Sequence, residues 1–292
     1  MVSRIACLVL CAVAPRNASR MCAHFADERF QFFLHCDAKR NLGHYLDRFS
    51  PVPANATFIE PRHEVFWGGF SMLDATIELM RAAMRDCEIQ HFALLSDDSF
   101  PLLPPDLLHA RIAGSAAPWI VTWPVPADHL FQQRYRRFFY LDSVFSNPRW
   151  ALTEERHFTQ RDRDALARLD ARRRAGKVPI DKLHAGKQWW VLHRRHVAAM
   201  LEFHDTQVDF QDSFRFSAVP DEIYLQTMFR ILFPSDPVAG NPMYDDSTRV
   251  PNPYVFDRAE QYTAARESNR LFVRKVAEDG EDYLAAVLTS WS

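Results

Sequence analysis

Residues 5–36 read IACLVLCAVAPRNASRMCAHFADERFQFFLHC. Two continuous apolar runs, 5–11 and 30–36, flank a helical stretch at about 17–26 that follows Pro15. Strands buried on both faces read as unbroken apolar runs, and two of them joined by a helix make a β-α-β unit. With Arg4 in front, residues 1–14 also have the outline of a short signal h-region, but about ten apolar residues cannot cross a bilayer and a buried first strand reads the same way.

Further along, Ser71 can cap a helix with Asp74 three residues on, and Met72, Ala75, Thr76, Leu79 and Ala83 form its inner stripe. That helix feeds a third buried strand at 91–95. Segments 119–123 and 189–192 are the fourth and fifth strand candidates. Strands alternating with helices predict an α/β fold with a mostly parallel central sheet and helices on both faces. Segment 161–177, RDRDALARLDARRRAGK, reads as a charged helix with a solvated face. Segment 220–232, PDEIYLQTMFRIL, is a Pro-led helix with Tyr224, Leu225, Met228, Phe229 and Leu232 on one side; a loop-rich stretch at 233–256 follows.

The 292 residues carry 48% hydrophobic and 25% charged side chains, with 23 Phe, 7 Trp and 8 Tyr, which is enough apolar material for a folded core. No repeat or Gly/Ser linker divides them, so one domain, 1–292, is expected. A net charge of -2 excludes a global basic field for nucleic acid. Only 8 Gly occur, and neither a Walker loop nor a dinucleotide GxGxxG is present. The 5 Cys include no CxxC pair and suit reduced thiols in the cytoplasm. No run of about 18 apolar residues marks a transmembrane span, which leaves peripheral membrane contact open.

Parallel sheets bind ligands at the carboxyl ends of their strands. The polar residues there are His35 and Asp37, then Ser96, Asp97, Asp98 and Ser99. His35 and Asp37 read equally as ligand contacts or as a core histidine and a strand-end cap, 96–99 taken alone reads first as a turn, and His35, Asp37, Asp97 and Asp98 also allow a metal-dependent hydrolase.

Seven segments then add up: IACLVLCAVA, FFLHCDAK, VFWGGFSMLDATIELM, HFALLSDDSFPL, HAGKQWWVLHRRH, VPDEIYLQTMF and RLFVRKV. In this order the chain resembles the core-2/I-branching β-1,6-N-acetylglucosaminyltransferases, with the related peptide-O-xylosyltransferases and plant homologues. The resemblance implies a glycosyltransferase A (Rossmann-like) fold and an inverting transfer from a UDP-sugar to a glycan or polysaccharide, with no metal or other cofactor. It puts the donor-binding half at about 1–125 and the acceptor half at about 126–292. GlcNAc is the favoured sugar and xylose the alternative; a catalytically silent nucleotide-sugar-binding protein is the alternative of another class.

By the same resemblance Glu222 is the catalytic base, and Asp221 caps the helix or meets the acceptor. Lys275 and Arg249, with Arg274 as a rival to Arg249, hold the leaving diphosphate. His35, Asp37, Trp67, Gly68, Gly69, Ser71, Asp98 and Ser99 become donor-site residues, and Trp189 and Trp190 offer an aromatic face to the acceptor. Asp162-Arg163-Asp164 is the one Asp-x-Asp triplet, and it lies in the charged helix rather than at a strand end. The chain departs from animal members in carrying Ser99 where they have an Asp, and in lacking their anchor, stem and disulfides, so it looks like a bacterial-type catalytic domain.

Overall fold

A computed structural model describes residues 3–136, 139–142, 158–175, 180, 182–246, 248 and 254–291. Its first half runs β1 (Arg4–Cys11), α1 (Pro15–His24), β2 (Phe30–Cys36), α2 (Leu42–Arg48), β3 (Ala56–Phe58), α3 (Ser71–Met84), β4 (Ile89–Ser96), β5 (Ser99–Pro101) and α4 (Pro105–Ala113). There follow β6 (Trp123–Pro124), α5 (Leu130–Arg136), α6 (Gln160–Arg174), β7 (His184–Ala185), β8 (Val191–His193), α7 (Arg194–Thr206) and α8 (Val208–Phe214). A 3-10 turn at Pro220–Glu222 leads into α9 (Tyr224–Leu232), β9 (Met243–Tyr244), α10 (Tyr262–Glu267), β10 (Phe272–Arg274) and α11 (Glu281–Thr289).

The central sheet has the order β3-β2-β1-β4-β8. Its first four strands are parallel, and β8 joins antiparallel to β4. The residues 5–11 thus form the middle strand, with Ile5, Ala6, Cys7, Leu8, Val9 and Cys11 all buried. Each fully buried aliphatic side chain of that kind is worth about 1.5–3 kcal/mol. Strand order turns back at β1: β2 and β3 lie on one side of it, β4 on the other. Right-handed crossovers then put α1 and α2 on one face and α3 on the opposite one. This mostly parallel sheet flanked by helices is the expected α/β class and agrees with a glycosyltransferase A-like fold. A smaller sheet, β5-β10-β9, lies beside its carboxyl edge.

Four local expectations change. The segment 119–123 does not enter the central sheet as a strand: Trp119 makes a single bridge to Val191, and Trp123–Pro124 pairs with β7 instead. Pro118 and Pro124 on either side have no N–H to give a ladder. The fifth strand is an antiparallel edge at Val191–His193, so Trp189 and Trp190 precede it. Ser71 is the first helical residue of α3, not its cap. The orphan N–H groups of Phe70 and Ser71 donate instead to Asp142, at 3.0 Å each, while Ser71 Oγ accepts from Phe66 N. Helix α6 is charged yet docked: Asp162 is fully buried against Arg215, Tyr140 and Thr159, and Ala165 and Leu169 pack with Tyr140 and Phe216.

Candidate active site

The carboxyl ends of β1, β2 and β4 open into a cavity of about 400 Å³, the place where reversal of strand order leaves a crevice. Leu10 to Val13 form one wall, His35 and Asp37 a second, and Ser96, Asp97 and Asp98 a third. Opposite them stand Lys187, Gln188, Trp189, Val219, Asp221, Glu222, Arg274 and Lys275, and Trp67 and Val13 sit exposed at the mouth.

The strand-end acids divide by role. Asp97 Oδ2 accepts from the backbone N–H of Ala12, Val13 and Ala14 at 2.8–2.9 Å, and from the Tyr45 hydroxyl. It therefore holds the β1–α1 turn closed and has little left to offer a ligand on that oxygen. Asp37 is buried and accepts from the backbone N–H of Lys39 at 2.9 Å and from its Nζ at 2.8–3.0 Å. His35 Nε2 accepts from the His63 N–H at 2.9 Å, which leaves the proton on Nδ1; burial pushes its pKa down to about 4, so it is neutral. The quartet imagined for a metal hydrolase is thus spent on turns and pairs. Among the described residues no group of three or more His, Cys, Asp or Glu is arranged to hold an ion.

Asp98 faces two cations, Arg274 at 3.6 Å and Lys275 at 3.9 Å, and its carbonyl accepts from Val276 N. Arg274 also lies 4.6 Å over the Trp189 ring, a cation–π contact that keeps the guanidinium along the cavity wall. Arg249 lies outside the described residues. Ser99 is fully buried, its Oγ accepting from Ser96 N, and does not line the cavity.

Glu222 is partly exposed in the cavity, with Arg134 of α5 3.5 Å from its carboxylate. Burial pushes its pKa up, while Arg134 and Lys187 pull the other way and Asp245 adds to the rise. Burial wins over the two cations. The turn that carries it is strained: Val219 holds φ 55°, a left-handed conformation costly for a β-branched residue, and precedes a proline. Such strain persists where surroundings over-determine it, at about 1–3 kcal/mol. Here the restraint is a hydrogen bond from Val219 N to Gly68 O at 2.8 Å, with Gly68 itself at φ 73°. Gly68 thus serves the backbone beneath Glu222. Gly69 serves the α3 cap, since a Cβ there would lie 2.1 Å from Asp142 Oδ1.

Two expectations for the acceptor side are corrected. Trp190 is wholly buried in the core, and Trp189, though it lines the cavity, is also buried beneath Arg274. Asp221 makes no cap hydrogen bond; its Oδ1 is buried without a partner. Sequence reading missed Arg134, Asp245 and Asp142, which arrive from segments with no local pattern to mark them, and Lys187, which lies inside the HAGKQWWVLHRRH segment with no spacing that marks it as a site residue.

Among the described residues no helix is long and apolar enough to cross a membrane. The model of the Core-2/I-Branching enzyme family matches residues 13–266, most of the chain, including Asp37, Asp98 and Glu222 but ending before Arg274 and Lys275. No curated protein matches the chain. With a match over most of its length that takes in the restrained Glu222 turn, the chain belongs to the Core-2/I-Branching enzyme family, a family of glycosyltransferases.

Proposed function

We propose that this chain is an inverting transferase that moves a sugar, GlcNAc first among candidates, from a UDP-sugar to a hydroxyl of a glycan or polysaccharide without a metal ion. The observation that carries this reading is the placement of Glu222 in one cavity with Arg274 and Lys275. In an inverting displacement the acceptor oxygen bonds to the anomeric carbon as the bond to the diphosphate breaks. Glu222 takes the acceptor's proton, and the departing UDP carries the electron pair away. Lys275 and Arg274 meet the charge that builds on the leaving oxygen, a task metal-dependent enzymes give to a cation. His35, Asp37 and Asp98 suit the nucleoside and diphosphate side, and the exposed Trp67 offers a ring face to sugar.

One hydrophobic core runs from Ile5 to Val287, which supports reading 1–292 as a single catalytic domain. All five cysteines are free thiols, in keeping with a reducing compartment such as the cytoplasm.

Glu222→Gln tests the reading, because the amide keeps the shape of the side chain and cannot take a proton. UDP-sugar affinity by calorimetry should stay within a few fold while transfer falls by about 10² to 10⁴. Intact turnover would remove Glu222 as the base; intact affinity with lost turnover would remove the silent binding protein. The sugar itself is read from a screen of UDP-sugars for slow hydrolysis.

A further inference from the structure

Asp221 lines the cavity beside Glu222, 8% exposed, with its Oδ1 buried and lacking any hydrogen-bond partner. A buried carboxylate oxygen without a donor is costly as an anion, and protonation removes the charge. The charged groups facing it are Glu222 on its own turn, Arg134 from α5 and Arg274 from β10. Gln226 of α9 spends its Nε2 on the carbonyls of Lys187 and Asp221 rather than on the carboxyl. Its own backbone N–H and the two arginines favour the anion. Burial and the Glu222 carboxylate oppose them and prevail, pushing the Asp221 pKa up to about 7.

A diphosphate changes this balance. Seated on Arg274 and Lys275 it brings negative charge into the same cavity and draws off the positive charge that helps to keep Asp221 ionised. We propose that Asp221 takes up one proton from solvent as the nucleotide diphosphate binds, and that the neutral carboxyl then donates its O–H to an oxygen of the bound substrate. The inference rests on the donor reading above. The proton returns to solvent when the nucleotide leaves, so no bond other than O–H is made or broken. Held this way, Asp221 adds no charge against the leaving group and leaves Glu222 as the anionic carboxylate of the pair.

The test is calorimetric titration of the whole chain with UDP-GlcNAc, a diphosphate diester with no group titrating near neutrality, at about pH 7.5 in phosphate and in Tris. Buffers of unlike ionisation enthalpy reveal the protons bound. Uptake of a substantial fraction of one proton is expected, with affinity weakening by up to tenfold per pH unit above about pH 7, since linkage is reciprocal. Asp221→Asn should bind with no uptake and a flat pH dependence; Glu222→Gln should keep the uptake but move it to lower pH, because it removes a carboxylate that raises the Asp221 pKa. Binding without uptake in the unaltered chain overturns the proposal, and so does uptake that survives in Asp221→Asn or is absent from Glu222→Gln at every pH from about 5 to 7.5. If Asp221→Asn does not fold, the unaltered chain and Glu222→Gln decide between them. Failure of both UDP-GlcNAc and UDP to bind overturns the donor reading and this one with it, an outcome distinct from binding without proton uptake.

Discussion

Lys275 reaches Asp98 only at 3.9 Å and keeps over a third of its side chain exposed, so its ammonium is held near the cavity without being neutralised by a tight pair. A cation poised this way can strengthen its contact as charge moves onto a leaving diphosphate. Lys275→Ala should therefore lower the transfer rate by about a hundredfold, close to 3 kcal/mol, and weaken UDP binding less than it slows turnover. An equal loss in KM and none in kcat would make Lys275 a plain binding group. Because side chains are proposed to carry this charge, transfer should survive excess chelator; activity lost in EDTA and restored by manganese would refute that. Lys275 was legible because it lies in a contiguous motif, RLFVRKV. Arg134 was not: its claim rests on a 3.5 Å approach to Glu222 across 88 residues of chain, which no spacing rule announces.

Helix α3 shows what one element owes to a distant segment. Its first N–H groups are bound by Asp142, some 70 residues away, and Gly69 leaves room for that carboxylate. Asp142→Ala should destabilise the fold by about 0.5–2 kcal/mol, the usual worth of a cap, read as a lower Tm. Gly69→Ala should cost at least as much, because its Cβ would displace the cap. The two share one interaction, so the double variant should be no worse than Gly69→Ala alone by more than a few tenths of a kcal/mol. Additive losses would show that Gly69 matters for some other reason. The helix itself was plain from its apolar stripe, while the identity of its cap was not, since Ser71 offers a local candidate that the fold uses elsewhere.

Across the whole molecule, acid is the expected weakness. His35, His196 and His204 are buried, His91 is half-buried, and burial pushes each pKa down to about 4. In the unfolded chain the same imidazoles titrate near 6.5. Between these values the unfolded state binds more protons, so this stability is fully present above about pH 6.5 and is lost as pH falls toward about 4. Tm should drop steadily from pH 7 to 5; a flat Tm over that range would mean that these rings are solvated in the native state. Sequence alone was enough for the α/β class, the central strand 5–11 and the neighbouring helices, and it named Asp98, Glu222, Arg274 and Lys275, which the fold brings to one cavity, since period and strand-end position are local properties and seven segments in family order carry the rest. It did not reveal that Asp97 closes a turn, that Trp190 belongs to the core, or that Asp221 is left without a partner beside Glu222. Those depend on which groups distant segments bring within 3 to 4 Å, because burial and hydrogen bonding are settled by neighbours in space and not by neighbours along the chain.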